Sequence, residues 1–395
     1  MTSLGGVDMV DWNLAVSTAT RLMRPGPEVT REQAREVVAE LRRHARVSEE
    51  HVRAFTGMNP PHLESDPEKA PPPVLVVDRI GWVRANVAGF RELLSPLLIK
   101  MGERRASSPG GSVLGAVGGK VTGVEVGMLL SFLASRVLGQ FETFAPGDRD
   151  FPAADGQGRL LLVAPNIVHV ERELDVNTHD FRLWVCLHEE THRTQFTAVP
   201  WLRDHLRGEI QSFLDETDMD PSALLERLRR AAQTLGGSNG AHNGAHNGDG
   251  AGEPEAGAGE GADSERDSGG LVELVQTPGQ REILARLTAV MSLLEGHADY
   301  VMDGVGPQVV PSVKEIREKF QKRRARGAGR LDQALRKLLG LDAKLRQYRD
   351  GERFVRAVVE EVGMEGFNKV WTSPNTLPTK AEIAQPSEWI ARVHG

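Results

Sequence analysis

The sequence predicts a mainly α fold, a multi-helix protein with a small β element beside one central helix. Three observations carry that expectation. Long stretches repeat apolar residues at helical spacing. The runs with strand character are short and few, too few for a large sheet. A chain of 395 residues with 26% charged and 39% apolar residues is an ordinary globular composition, with enough material for one large core or two to three modest domains.

The elements follow in order. Residues 1–70 read as an N-terminal helical region, whose clearest segment is "REQAREVVAELRRHARVSEEHVRAFTG" at 31–57, set off by the helix-breaking "RPGP" and "PP". "PVLVVD" at 73–78 reads as a strand, then "GWVRANVAGFRELLSPLLIKM" at 81–101 and "KVTGVEVGMLLSFLASRVLGQF" at 120–141 as helices, and "RLLLVAP" at 159–165 as a second strand. "HVERE" at 169–173 spaces His169 and Glu171 for neither one helical face nor a metal set and reads as surface. The most apolar stretch, from Val126, is shorter than the roughly 20 residues that span a bilayer. No secretory pattern opens the chain and Cys186 has no second cysteine to pair with, so a soluble cytoplasmic protein without disulfides is expected.

Charge excludes some partners. The net charge is −7, but seven acids and one base between Gly236 and Gly270 carry −6 of it, leaving the remainder nearly neutral. Neither nucleic acid nor an anionic membrane is expected as a partner on that balance. The basic run "KRRARGAGR" at 322–330 reads as a solvated helix end. Residues 236–270 are rich in Gly, Ala, Asn and acid with almost no large apolar groups, the composition of a disordered linker. Their duplicated "AHNG" sets His242 and His246 four apart, but the glycines around them oppose the helix that would align two ligands.

Chemistry concentrates in "FRLWVCLHEETHRTQF" at 181–196. Residues four apart on a helix share a face, so His188 and His192 can bind one ion, and neutral imidazole suits Zn²⁺. Glu189 is offset just enough to reach a water on that ion as general base. Phe181, Trp184, Val185, Leu187 and Phe196 flank the polar pair, which fits a helix buried at its base. Cys186 falls on another side and reads as a small buried apolar residue.

Catalytic zinc takes three protein ligands, and the extension that supplies a third histidine within the same motif is absent, since Gln195 and Ala198 occupy its positions. The third ligand must come from elsewhere. In "SLLEGHADYVMDGVG" at 292–306, Glu295 and Asp299 stand four apart on a predicted helix. Glu295 would complete a two-His, one-Glu set, and Asp299 would accept the free ring N–H of a ligand histidine. His297 points to roughly the opposite side of that helix and is a weaker ligand candidate. If His188, His192 and Glu295 share one ion, residues 71–395 form a single catalytic unit and 236–270 is an insertion within it.

Together "FRLWVCLHEETHRTQFTAVPWL", "LLEGHADYVMDGVG" and "KVWTSPNTLPT" (369–379) resemble the actinobacterial zincin-like metallopeptidase family, some members of which are labelled as associated with deazaflavin cofactor biosynthesis. The resemblance runs from about residue 70 to the end, outside the acidic insertion. It implies a mostly helical zincin-like fold with a glutamate-type active site.

The function expected from the site is metallopeptidase chemistry on a peptide or protein substrate. Zinc would activate a water, Glu189 would act as base and then acid, and Tyr300 or His297 could donate to the tetrahedral oxyanion. "RLLLVAP" is the candidate edge strand for pairing with an extended substrate. Two other classes stay open. A two-His, one-carboxylate set also suits non-haem iron, although a di-iron bundle would need a second Glu-x-x-His that the chain lacks. A binding protein on a zincin scaffold is the other, and Glu189 argues against it because a structural site needs no base.

Overall fold

A computed structural model describes residues 10–60, 74–106, 111–144, 147, 158–216, 277–326 and 341–395. The acidic insertion at 236–270, His242, His246 and the end of the basic run at 327–330 lie outside those residues. Among the described residues there are twelve α-helices and three strands, so the fold is mainly α with a small sheet, as the periodicity predicts. They fall into two units, one of Met1–Gly208 with Leu287–Gly395 and one of Glu209–Arg286. In the second, Arg286 Nε donates to Glu209 at 2.9 Å and the Thr277 hydroxyl to Glu216 at 3.0 Å. No described helix is long and apolar enough to cross a membrane.

In the larger unit, α1 (Trp12–Leu22) and α2 (Arg31–Thr56) come first. Thr30 and Gln33 close a reciprocal capping box at the start of α2, and Gly57 ends it at φ 69°, where a side chain would be strained. Strand β1 (Val74–Val77) leads into α3 (Arg79–Ala106) and α4 (Gly111–Ala134). The helical period expected through residue 141 stops at Ala134, and Gly139–Glu142 forms strand β2 instead. Asn166 explains the break, because its amide donates to the carbonyls of both Ala134 and Val137 at 2.7 Å and takes them out of any helical ladder.

Strand β3 (Arg159–Val163) is the centre of the sheet, parallel to β1 and antiparallel to β2. All five of its residues are buried, which suits its continuous apolar run. A central strand offers no free edge, so the expectation that "RLLLVAP" pairs with a substrate is overturned. The edges are β1 and β2, and the outer side of β2 is paired with no described strand.

After α5 (Ala164–Leu174) comes α6 (Thr178–Ala198), the helix of the His-Glu-x-x-His motif. It starts where the Asn177 side chain accepts from the Asp180 N–H at 3.0 Å. Its N-terminal half, through Leu187, joins a core built with α2, α5 and α9 (Val313–Arg326). Phe196 and Ala198 at its end pack on a second core from α7 (Pro200–Asp215), α8 (Pro278–Gly304), α10 (Leu341–Phe367), α11 (Lys380–Ala384) and α12 (Pro386–His394). A third core joins α1, α3, α4 and the sheet. Cys186 is fully buried, as its position predicts. Glu171 is not on the surface as the sequence suggests; it is 2% exposed and clamped by Arg182, whose Nε and Nη2 donate to it at 2.9 and 2.5 Å.

Candidate metal centre

Helix α6 holds His188 and His192 one turn apart, and their rings stand at 89° with centroids 4.8 Å apart. The Nε2 atoms converge to 3.2 Å. Glu295 approaches from α8, with Oε2 3.7 Å from His188 Nε2 and Oε1 3.9 Å from His192 Nε2. Backbone contact fixes that approach. Gly296, the next residue, crosses Gly351 of α10 so closely that a Cβ on either would collide with the other helix's backbone. Only glycine permits this crossing.

The three side chains fit a zinc ion. Two imidazoles and a carboxylate are a catalytic zinc donor set, and bonds of about 2.05 Å set tetrahedral ligand atoms roughly 3.3 Å apart. The observed separations bracket that edge. Burial disfavours a charged His188, but Glu295, Glu189 and Asp299 outweigh it and raise its pKa to about 9, whereas burial keeps His192 below the ordinary value. Several carboxylates around two imidazoles form a cage that stabilises positive charge.

The outward ring nitrogens are also held. Gln195 Oε1 lies 3.0 Å from His192 Nδ1, and the Gln195 amide donates to the Leu294 carbonyl and to His297 Nδ1, each at 3.0 Å. Gln195 is fully buried, so this relay fixes the His192 ring and leaves Nε2 facing Glu295. His188 Nδ1 lies 3.2 Å from Met302 Sδ and 3.7 Å from Asp299 Oδ1. Asp299 therefore stands beside His188 Nδ1 at ion-pair distance. Arg317 reaches Asp299 at 3.8 Å, Asp303 at 3.0 Å and Glu352 at 2.5 Å, tying α8, α9 and α10 behind His188.

Glu189 is 6% exposed, and burial raises its pKa to about 7, partly opposed by His188. Its carboxyl presses on strand β2. A Cβ at Gly139 would meet Glu189 Cγ at 2.5 Å, Cδ at 2.6 Å and Oε1 at 2.8 Å.

His297 is fully enclosed between Phe367 and Trp371, ring centroids 5.2 and 5.5 Å away, and burial drives its pKa to about 3, so the ring is neutral. It meets the site through Gln195 and not at an open mouth. Tyr300 lies between Phe55, 5.9 Å away, and the guanidinium of Arg356, 5.5 Å over its ring. The sequence reading missed Gln195, Met302 and Gly139. Gln195 carried a weak signal, being one turn from His192 on the same helix.

A family model described as zincin-like metallopeptidase matches residues 10–390. Among solved structures, one from Chloroflexus aurantiacus, described as "a putative hydrolase with a novel fold", is 29% identical over 98% of this chain and 99% of its own, with a TM-score of 0.63. No curated protein matches.

Proposed function

Because the chain belongs to the zincin-like metallopeptidase family, we propose that it is a zinc-dependent hydrolase of peptide bonds in which His188, His192 and Glu295 hold the ion and Glu189 moves the proton. The observation that supports this best is the convergence of the two Nε2 atoms and both Glu295 oxygens beside the Glu189 carboxyl. When bound, zinc would supply the Lewis acidity that activates a water and polarises a carbonyl. The residues of the chain do the rest. Glu189, held near neutrality by burial, takes a proton at its carboxylate and returns it to the leaving amine. His192 is kept in one tautomer by Gln195. Strand β2 takes over the substrate-pairing role, since its outer edge meets no described strand and Gly139 brings its backbone against Glu189.

Replacing Glu189 by Gln separates binding from chemistry. The variant is expected to keep zinc by elemental analysis and to lose about 10²- to 10⁴-fold in turnover of a quenched-peptide library. Zinc-loaded variant and wild type cleaving equally fast would refute the assignment. Iron in place of zinc in the purified wild type would move the chain to the iron class.

A further inference from the structure

A second cluster lies at the other end of α6. Glu40 and His44 stand one turn apart on α2, and His179, in the first turn of α6, faces them, with one donor atom from each residue falling within 4.8 Å of the others. His44 Nε2 is 3.3 Å from Glu40 Oε1, again the edge expected of a tetrahedral site. The His44 and His179 rings stand at 87° with centroids 4.6 Å apart, almost repeating the arrangement of His188 and His192.

The surroundings complete the resemblance. Asp180 Oδ1 lies 3.5 Å from His179 Nδ1, while its Oδ2 accepts from the Ser312 N–H at 2.8 Å and hydroxyl at 2.7 Å. A braced carboxylate beside one ring nitrogen of a histidine is the usual support of a metal ligand bound through the other. Glu40 Oε2 is bonded by Arg182, which also clamps Glu171. His44 is buried, so its ring is held in place against Glu40. The His179 side chain is 63% exposed, so a fourth position would face solvent.

We propose that Glu40, His44 and His179 form a second site for a divalent transition metal, clamping α2 to the start of α6. Two imidazoles and one carboxylate select zinc or nickel over calcium or magnesium, which prefer oxygen alone. His188 follows His179 by nine positions of helix, about 13.5 Å along the axis, so the two sites cannot share an ion. Bound metal would fix the position of the helix that carries His188, Glu189 and His192.

Equilibrium dialysis against zinc, read by elemental analysis, tests this directly. With both clusters competent, wild type holds two ions per chain. His179→Ala, at an exposed position, is expected to lose one of them, His192→Ala to lose the other, and the double variant both. His179→Ala binding as many ions as wild type would overturn the second site, whatever becomes of the first. Two ions in His192→Ala would instead count against the catalytic centre. A second readout is the melting temperature of His192→Ala. Zinc should raise it, and the rise should vanish when His179→Ala is added. If His192→Ala does not fold, comparing wild type with His179→Ala still decides the matter.

Discussion

Gln195 does for His192 what no ligand can do for itself. Buried and bonded on both ends of its amide, it locks the ring so that Nε2 faces Glu295. Gln195→Leu keeps the volume and removes the lock. Zinc affinity, measured by competition with a chromophoric chelator, should fall about 10- to 100-fold while the helix content holds. At this scale much was legible from spacing. His188, Glu189 and His192 declare themselves because one helix presents all three, and Glu295 because the vacant ligand role could be matched to a four-residue carboxylate pair. Gln195 was not legible as an orienting group, since its role depends on where His192 Nδ1 points and on a carbonyl from α8. Glu171 misled for a similar reason: a carboxylate is buried when an arginine eleven residues on folds back over it.

Among elements, the crossing of α8 and α10 sets the position of Glu295. Gly351→Ala would drive a Cβ into the Ser292 carbonyl, a backbone atom that cannot rotate away. Denaturant melts should show about 1–3 kcal/mol of destabilisation, with weakened zinc binding as Glu295 is pushed off. Gly208→Ala is the control, because nothing lies within 4 Å of its Cβ and α7 should gain up to about 1 kcal/mol. The C-terminal helices give a pH-dependent case. Burial pushes the Glu382 carboxyl up, but Arg392, donating at 2.5 and 3.0 Å, and the Thr379 N–H outweigh it and lower its pKa below the ordinary 4.5. A depressed acid adds stability above its unfolded pKa and loses it as pH falls through the folded one. Glu382→Gln should therefore cost about 1–2 kcal/mol in urea melts at neutral pH, and clearly less near pH 3. Strands β1 and β3 and helices α2, α3 and α6 were legible from periodicity, whereas β2 was not. Its first three residues fall at the end of the predicted helical run, and the break comes from Asn166, outside the local pattern.

For the whole molecule, the order of the proposed ligands along the chain matters most. His188 and His192 precede the interval 209–286, and Glu295 follows it, while all three lie in the larger unit. The linker composition of 236–270 by itself invites a domain boundary there, whereas a shared ion makes it an insertion within one unit. Removing residues 238–268 should leave zinc content at the centre unchanged, because loop closure depends only weakly on length. Loss of zinc from a folded deletion variant would refute that reading. What sequence could not supply at this scale was the pairing of α2 with the first turn of α6, since Glu40, His44 and His179 carry no shared motif and meet only through tertiary packing.

A zinc ion held as proposed would have a mechanical meaning. A metal bound by His188, His192 and Glu295 is a crosslink that closes the chain into a loop around residues 209–286. If a protease nicked that loop, the ion would still bridge the two resulting polypeptides. A chelator would then act on the nicked protein as a reductant acts on a disulfide, removing the coordinate link between its halves.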